Sequence, residues 1–366
     1  MAKRCGRGSC IRMRTEGKAD VELEMQGEVE VQESGPGIQP EIPVKATVPV
    51  HPTPRVQVQV VTYNSAAQVV ECLQSVLAQS VQVERIVVLD NGSQDESVGV
   101  AAKVDGAIEV MALGQNRGYA AAHNLGFRQA VARGFDYVLT LNPDVVLEPR
   151  YLEWVLVSAG TDSLCGGVSG KLLRSGQGTD ALVIDSVGLC LGSLLHVRDC
   201  GSMEWDVGQY DRAQEVWGVC GAAALYRVDM LRQVDASGEA FDATFFVYKE
   251  DVDLCWTAKG LGWRFLYQPL ARAQHTRGWT RSNRPSAAVV AHSYANQMAL
   301  LVKHVEHFSP TLAVAIVAEV TRFVLLLGTR PTAALQAVAL MARNGSHMWQ
   351  ERARLRGQVT PGRWVS

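Results

Sequence analysis

The sequence lacks a strong charge of either sign: 35 Lys and Arg residues stand against 37 Asp and Glu residues, leaving a formal net charge of −2. Binding to nucleic acid needs a concentrated basic surface that neutralises phosphates. The near-neutral balance therefore gives no reason to expect a nucleic-acid partner. With 366 residues, 47% of them hydrophobic, the chain can bury one large core or two smaller ones.

Cysteine pairs with metal-binding or redox spacing are also lacking. None of the 8 cysteines forms a C-x-x-C pair, and several lie inside apolar runs. This pattern favours reduced, buried thiols in a cytoplasmic protein. The N-terminal region contains early arginines but no continuous apolar segment, which argues against a secretory signal.

No long apolar run is free of charge. The longest run near the C-terminus, LAVAIVAEVTRFVLLLG, is interrupted by Glu319 and Arg322. A spanning helix needs about 20 mostly apolar residues, and central charges oppose insertion into a bilayer. We therefore interpret this run as an amphipathic or peripheral helix.

What the sequence does contain is a regular alternation of strands and helices. Residues 1–54 mix charge, Gly and Pro, which is typical of a disordered leader. From residue 55, apolar strands such as VQVQVVTYN and ERIVVLDNGS alternate with helical segments such as SAAQVVECLQSVLAQ. This alternation predicts an α/β fold with a Rossmann-like, mostly parallel sheet sandwiched by helices. After the segment ARAQHTRG, which ends at residue 278, the pattern becomes helical, with breaks at Pro310 and Pro331.

Polar side chains follow four successive predicted strands. In an open parallel sheet, ligands bind beyond the carboxyl ends of the strands. The polar residues at these ends are Thr62, Tyr63, Asn64, Asp90, Asn91, Ser93, Asn116, Arg117, Asn142 and Asp144. The sequence thus predicts one rim with many hydrogen-bonding groups and two carboxylates. No G-x-G-x-x-G follows the first strand, which weighs against an oxidoreductase with a dinucleotide cofactor.

Two of the polar residues on or near this rim have both a structural and a functional interpretation. Asp90, in DNGS, is a strong turn residue and can also accept a hydrogen bond from a ligand. His275 taken alone is more typical of a structural residue. Together with Asp144 on the same rim, its imidazole can complete a divalent-metal or diphosphate site.

The segment KEDVDLCW packs Glu250, Asp251 and Asp253 into four positions. One interpretation is that these acids occupy a helix N-terminus, where the dipole and the free N–H groups favour negative charge. The alternative is a functional carboxylate pair. The strongly apolar FDATFFVY before the acids favours the second interpretation, because a buried carboxylate is costly unless it is used or paired.

Taken together, these segments resemble glycosyltransferase family 2, and more closely its bacterial rhamnosyltransferase-like branch. The resemblance rests on VVTYNSAAQVVECLQSVLAQ, IVVLDNGSQDES, QNRGYAAAHNLGFRQA, YVLTLNPDVVLEP, GAAALYR, FFVYKEDVDLCWTAKGLGWRFLYQPLARAQHTRG and SYANQMALLVKH, in this order. It implies a GT-A domain over 55–304, with a nucleotide-binding half (55–150) and an acceptor half (151–304). A helical tail over 305–366 would follow.

The resemblance also implies roles for individual residues. The residues expected to bind a nucleotide-sugar donor are Thr62, Tyr63, Asn64, Asp90, Asn116, Gly118, Asn124, Asn142, Asp144 and Gly221. Asp90 would accept a hydrogen bond from the pyrimidine base. The ribose and diphosphate region would be lined by Asn116, Gly118 and Asn124.

For the chemistry, the resemblance implies that Asp251 is the catalytic base, with Glu250 beside it. Asp144 stands where the family's D-x-D motif ends, and with His275 it would contact a divalent cation, Mg²⁺ or Mn²⁺, at the diphosphate. The first position of this motif is Asn142, a weaker ligand for a hard cation. The expected metal is therefore loosely held, largely through the donor's phosphates.

The expected function is an inverting transfer of a sugar, rhamnose or another hexose, from a nucleoside-diphosphate sugar to a glycan or lipid-linked glycan. The alternatives are a sugar nucleotidyltransferase, which would need a Gly-rich basic loop where TYNSAAQ stands, and a nucleotide-sugar-binding pseudoenzyme. For the helical tail, packing within the protein or a dimer and peripheral attachment to the inner face of the cell membrane stay open alternatives.

Overall fold

The computed structural model describes residues 54–174, 182–277, 285–305 and 309–358 of the chain. The strands in these ranges are Val56–Thr62 (β1), Arg85–Asp90 (β2), Ile108–Ala112 (β3), Tyr137–Leu141 (β4), Val145–Leu147 (β5), Cys165–Arg174 (β6), Ile184–Ser186 (β7), Leu189–Leu191 (β8), Val197–Asp199 (β9), Gln214–Val216 (β10), Ala223–Arg227 (β11) and Arg264–His275 (β12). The predicted leader, apart from Pro54, lies outside the described residues.

The helices in the same ranges are Val69–Leu77 (α1), Ser97–Ala101 (α2), Tyr119–Arg133 (α3), Tyr151–Gly160 (α4), Val228–Val234 (α5), Glu250–Gly260 (α6), Ala287–His304 (α7), Pro310–Thr329 (α8) and Pro331–Gln358 (α9). A single 3₁₀ turn spans Ala243–Phe245. The breaks predicted at the two prolines are confirmed, because α8 begins at Pro310 and α9 at Pro331. Proline suits the first helical position, where its missing N–H has no partner to lose.

One large sheet forms the centre of the fold, with the strand order β10-β12-β6-β11-β4-β1-β2-β3. Strands β4, β1, β2 and β3 run parallel to one another, and β12 runs parallel to β6. Strand β11 lies antiparallel between β4 and β6. The predicted α/β fold with a mostly parallel sheet and C-terminal helices is confirmed, and each antiparallel pair of this sheet includes at least one strand from the less regular second half.

The central strands β1, β2 and β4 are buried along their whole length. Side chains alternate between the two faces of a strand, so both faces must be covered. Val58 and Val60 belong to the larger core on one face, whereas Val61 and Leu89 belong to a smaller core on the other. This burial explains why β2 and β4 are mostly apolar and why the glutamines of β1 need hydrogen-bond partners.

Two buried glutamines in β1 attach α3 to the sheet. The Gln57 amide donates to the Gly126 carbonyl at 3.0 Å, and the Gln59 amide donates to the His123 carbonyl at 3.1 Å. Helix α3 begins directly after Gly118. Its N-terminus is therefore held at the carboxyl edge of the sheet.

The cysteines differ in part from the sequence prediction. Cys190 in β8 and Cys200, directly after β9, form a disulfide across this hairpin. The prediction of reduced thiols is wrong for this pair, because the hairpin brings the two Cα atoms within 5.4 Å. The buried free thiols are Cys72, Cys165, Cys220 and Cys255. Cys5 and Cys10 lie outside the described residues.

Candidate active site

The first two strands place Thr62 and Asp90 side by side at the carboxyl edge. The Thr62 hydroxyl donates to Asp90 Oδ1 at 3.1 Å, while Asp90 Oδ2 accepts from the N–H groups of Gly92 (3.2 Å) and Ser93 (3.1 Å). Asp90 is only 2% exposed. The turn role of Asp90 is thus observed, and its contact with a pyrimidine base stays a prediction.

Tyr63 and Asn64 extend the edge beyond β1. The Asn64 backbone N–H donates to Ser93 Oγ at 2.9 Å, and Asn64 Oδ1 accepts from the Gln94 N–H at 2.8 Å. These bonds join the loops after the first two strands. The Tyr63 side chain is 48% exposed on this rim, so a ligand can reach it.

The loop before α3 is shaped by Asn116 and Gly118. Asn116 Oδ1 accepts from Asn91 Nδ2 at 3.1 Å and from the Gly118 N–H at 2.9 Å. Gly118 has a φ of 88°, and a Cβ atom there would lie 2.6 Å from the Phe246 ring. Both its backbone conformation and the lack of space require glycine.

Asn124 is one predicted residue that the structure does not bring to the rim. It is buried, its amide donates to the Phe241 carbonyl at 2.7 Å, and its Oδ1 accepts from the Phe241 N–H at 3.0 Å. The sequence reasoning did not foresee this pairing, because Phe241 is 117 residues away along the chain. We therefore leave Asn124 out of the candidate donor contacts.

Asn142 and Gly221 meet around Tyr119. The Tyr119 hydroxyl lies 3.0 Å from Asn142 Oδ1 and 3.0 Å from the Gly221 carbonyl oxygen. Burial raises the pKa of Tyr119 well above its usual value, and the nearby charges of Glu250 and Asp251 raise it further. The sequence analysis missed Tyr119; its signal was an aromatic hydroxyl directly after the glycine that opens a rim helix.

Glu250 and Asp251 begin α6 beside this group. Asp251 Oδ2 accepts from the Gly221 N–H at 2.9 Å. Burial raises the pKa of Asp251, and the charge of Asp199 adds to the shift. Glu250 Oε2 is buried without a hydrogen-bond partner among the described residues. Burial and the charge of Asp251 raise the pKa of Glu250 to about 8, as is common for acids at functional sites.

The third acid of KEDVD has a different environment. Asp253 accepts from Lys303 Nζ at 2.8 Å and lies 2.7 Å from His304 Nε2. Burial opposes its ionisation, but the Lys303 charge and the His304 hydrogen bond together lower the pKa of Asp253. Asp253 is therefore a paired structural acid, unlike the two acids before it.

His275, at the end of β12, lies between two carboxylates. Its Nε2 is 3.3 Å from Asp144 Oδ1, and its Nδ1 is 2.8 Å from Asp185 Oδ2. Burial opposes the positive charge, but the two carboxylates outweigh it and raise the pKa of His275 to about 9. Asp185 also pairs with Arg174 and Arg277. The sequence analysis missed Asp185, whose signal was an acid inside the apolar segment ALVIDSV.

The Asp144–His275 pair has the donor types of a divalent-cation site. Asp185 engages Nδ1 of the imidazole and leaves Nε2 facing Asp144, as when a second carboxylate orients a metal-binding histidine. Among the described residues, no group of three or more His, Cys, Asp and Glu side chains is arranged to hold a metal. An ion that takes its other ligands from phosphates and water would have to displace the proton that the two carboxylates favour on His275.

The carboxyl edge of the parallel sheet carries amides, acids and the start of a helix that follows a glycine. These features place the protein in the class of α/β proteins that bind ligands at that edge. Residues 57–235 match the family model described as glycosyl transferase family 2. This segment is a glycosyl transferase family 2 domain, and the chain is a glycosyltransferase. The resemblance inferred from the sequence motifs is confirmed.

Three relatives are similar to this chain. N-acetylglucosaminyl-diphospho-decaprenol L-rhamnosyltransferase of Mycobacterium tuberculosis is 24% identical over 261 residues, which cover 67% of this chain and 83% of that protein. The putative glycosyltransferase EpsH of Bacillus subtilis is 32% identical over 30% of this chain and 32% of its own length. Poly-beta-1,6-N-acetyl-D-glucosamine synthase of Staphylococcus aureus is 23% identical, over 57% of this chain and 47% of that protein. The first of them supports the rhamnosyltransferase-like branch.

A solved structure of GalNAc-T7 with UDP, GalNAc and Mn²⁺ is similar to this fold, with a TM-score of 0.52 and 12% sequence identity. The match covers 69% of this chain, and the chain spans about half (48%) of that structure's chain. At this identity the likeness shows the fold alone. It confirms the GT-A fold expected from the sequence.

Proposed function

We propose that this glycosyltransferase inverts the anomeric centre as it moves a sugar, rhamnose or another hexose, from a nucleoside-diphosphate sugar to a glycan or lipid-linked glycan. The observation that carries the proposal is the pair of adjacent acids at the start of α6, in a chain with a family 2 domain over 57–235. Asp251 Oδ2 accepts from the Gly221 N–H, and Glu250 Oε2 is buried without a hydrogen-bond partner among the described residues. The name of the Mycobacterium tuberculosis relative, a rhamnosyltransferase acting on a decaprenol diphosphate, supports the sugar and acceptor classes.

In this proposal Asp251 is the base. Its Oδ2, oriented by the Gly221 N–H, takes the proton of the acceptor hydroxyl. The hydroxyl oxygen then bonds to the anomeric carbon, and the bond to the leaving diphosphate breaks with its electron pair on the diphosphate oxygen. Two adjacent buried acids do not ionise together easily. The pKa of Glu250, raised to about 8 by burial and by the charge of Asp251, favours the shared proton on Glu250, and the proposal places the negative charge on Asp251.

Asp144 and His275 are the residues that would hold Mg²⁺ or Mn²⁺ beside the donor diphosphate. When bound, the ion supplies positive charge that stabilises the leaving group. Asn142 adds no carboxylate, and its Oδ1 lies 3.0 Å from the Tyr119 hydroxyl. We expect weak binding of the ion by the protein alone and tighter binding with the donor present.

The proposal includes peripheral membrane contact through α8. Its two charges pair with each other at 2.8 Å, and Glu319 is only 4% exposed. The exposed face carries the apolar residues Val314, Ile316, Val317, Val320, Val324, Leu325 and Leu327. By length and composition alone α8 is long and apolar enough to cross a membrane. Because one of its sides packs on the protein, we propose that α8 lies in the membrane plane with its apolar face in the lipid.

A bilayer is the proposed occupant of this face because α8 lies close to the catalytic acids. Burial lowers the pKa of Lys249 to about 8, and the charges of Arg322 and Glu319 are near enough to shift it as well. Lys249 directly precedes Glu250 in the chain. A helix held in the lipid surface at this position would bring the acids to a lipid-linked acceptor.

The direct test measures nucleoside diphosphate release from UDP-, dTDP- and GDP-sugars, with a lipid extract as the acceptor source and with or without Mg²⁺ or Mn²⁺. We expect release from one donor class, a fall after exhaustive chelation, and a loss of about 10²-fold or more in Asp251→Asn. Asp229→Asn, an acid whose side chain is 72% exposed on α5, is the matched control and should retain turnover.

Each arm can contradict one part of the proposal. Full turnover by a folded Asp251→Asn variant would exclude Asp251 as the base. Activity that survives exhaustive chelation would exclude the metal. Neither release nor binding of any donor would favour the pseudoenzyme.

A further inference from the structure

The segment SYANQMALLVKH lies in α7 and has no role in the mechanism above. His292, Asn296 and Lys303 are four and seven residues apart, a spacing that puts them on one face of a helix. All three point to the segment around the catalytic acids. The His292 ring stacks on Phe246 with centroids 5.0 Å apart, and Lys303 Nζ donates to Asp253.

Asn296 makes the most concentrated set of these contacts. It is 4% exposed, and its Nδ2 lies within hydrogen-bond distance of three backbone carbonyls. These belong to Phe245 (2.8 Å), Val247 (3.0 Å) and Tyr248 (2.8 Å). An amide nitrogen has two protons, so the third carbonyl shares them. The three acceptors lie in one loop, 245–249, which ends directly before Glu250.

Loop 245–249 has a backbone path that needs outside support. Phe246, Tyr248 and Lys249 have φ angles of 61°, 67° and 70°, although none is glycine. Such residues persist in the left-handed region only where their surroundings impose it. A cavity of about 110 Å³ adjoins Phe245 and Asn296 at the start of this loop. The hydrogen bonds of Asn296 to three of the loop carbonyls are part of the support that holds this path.

The same loop also touches the donor side of the rim. The Phe246 carbonyl accepts from the Tyr119 N–H at 2.6 Å, and Phe246 fills the space in which Gly118 would place a Cβ. A displacement of the loop would therefore move the two acids relative to the start of α3. The loop connects the expected donor site to the expected base.

We propose that Asn296 is a positioning residue for catalysis: by binding the carbonyls of loop 245–249 it sets where Glu250 and Asp251 stand relative to the donor rim. This rests on Asp251 acting as the base, as proposed above. His292 and Lys303 support the same placement from the two sides of Asn296, through Phe246 and Asp253. A residue with only a general structural role would instead lower stability without a selective loss of turnover.

The test compares Asn296→Ala with Leu300→Ala in the full chain. Leu300 is a fully buried residue of the same helix and does not line the cavity beside the loop. Hydrogen exchange of the peptide covering 244–250 should become about 10-fold faster or more in Asn296→Ala and stay unchanged in Leu300→Ala. The kcat for nucleoside diphosphate release should fall about 10- to 100-fold in Asn296→Ala, with little change in the donor KM. Leu300→Ala should lower the melting temperature but keep kcat.

Unchanged exchange of the loop in Asn296→Ala would overturn the proposal, and so would an equal loss of kcat in both variants. Asp251→Asn measured alongside separates this proposal from the one on which it rests. If Asp251→Asn is inactive and Asn296→Ala has wild-type turnover, only the positioning role fails. If Asp251→Asn is fully active, the assignment of the base fails.

Discussion

At the residue scale, three acids within four positions of one motif have three different environments. Glu250 is buried and lacks a partner for Oε2 among the described residues, Asp251 accepts a backbone N–H, and Asp253 pairs with Lys303. Burial costs a carboxylate its hydration, and only an opposite charge or a hydrogen bond restores the ionised form. The partner, not the residue type, therefore decides which acid is protonated at neutral pH.

Glu250, whose Oε2 lacks a hydrogen-bond partner among the described residues, gives a stability prediction with a definite sign. Its pKa of about 8 in the folded chain exceeds the ordinary value of 4.5, so the folded state holds a proton that the unfolded chain has released between these pH values. Stability is therefore lost as pH rises through this window. Glu250→Gln should raise the melting temperature at about pH 8.5, by about 2–4 °C for each kcal/mol recovered, and much less at about pH 5.

Thermal unfolding at both pH values checks this, with the exposed Glu215→Gln in β10 as the control. A gain of the same size at both pH values would contradict the buried, protonated state of Glu250. The variant should also lose turnover, because Glu250 adjoins the proposed base.

Gly118 and Gly114 form a second matched comparison at this scale. Both have positive φ angles, of 88° and 75°, but only at Gly118 would a Cβ atom collide, 2.6 Å from Phe246. Gly114→Ala should cost about 1–2 kcal/mol from backbone strain alone. Gly118→Ala should cost clearly more and weaken nucleoside diphosphate binding, as measured by thermal unfolding and titration calorimetry. Equal effects of the two substitutions would show that the loop can move away.

At the scale of elements, α8 shows how a helix separates its charges from its apolar residues. In the sequence Glu319 and Arg322 interrupt an apolar run, but three residues along a helix is nearly one turn, so the two meet. Glu319 is buried, while the valines and leucines on the other side are exposed. The exposed face of α8 is therefore more apolar than the linear sequence of this segment indicates.

Substitution on this face tests the proposed membrane contact. A double variant that carries Val317→Asp and Val324→Asp should no longer float with vesicles containing anionic lipid, because each new carboxylate would have to enter the lipid surface. Turnover with a water-soluble acceptor should stay unchanged. Val157→Asp, an exposed valine of α4, is the control and should float like the unmodified chain. Loss of a dimer in sedimentation, without any flotation by the unmodified chain, would instead point to packing between copies.

At the scale of the whole molecule, the C-terminal helices are bound to the sheet domain. His347 Nε2 in α9 lies 3.1 Å from both carboxylate oxygens of Asp242, and Arg352 donates to the Val305 carbonyl at 2.7 Å. Met348 belongs to the same core as the sheet residues. The predicted boundary at 304/305 stays a prediction, but α9 is part of the support for α7.

A chain ended after Val305 should therefore lose more than membrane contact. It would expose the core around Met348 and remove His347, one of the partners of Asp242, so we expect a melting temperature lower by several degrees and reduced turnover even with a soluble acceptor. The full-length Val317→Asp, Val324→Asp chain is the reference, since it keeps α9. A truncated chain with full stability and turnover would contradict this account of α9.

Sequence alone led to the α/β fold, the order of the elements, the family and most rim residues. These follow from local patterns: period-2 and helical spacing, prolines at helix starts and polar residues at strand ends. It also predicts that Glu250, Asp251, Asp144 and His275 share one site. Their pairings with Gly221 and Asp185 were not predictable, because the partners lie far away in the chain.

The tertiary structure decided what each of these groups does. It buried Asn124 against Phe241, joined Cys190 to Cys200, and gave Asp253 a lysine while Glu250 Oε2 stayed unpaired among the described residues. Local periodicity determines which segments form strands and helices, because it depends on neighbouring residues. Charge state and hydrogen bonding depend on which residues meet across the folded chain, and that is settled only when the elements pack.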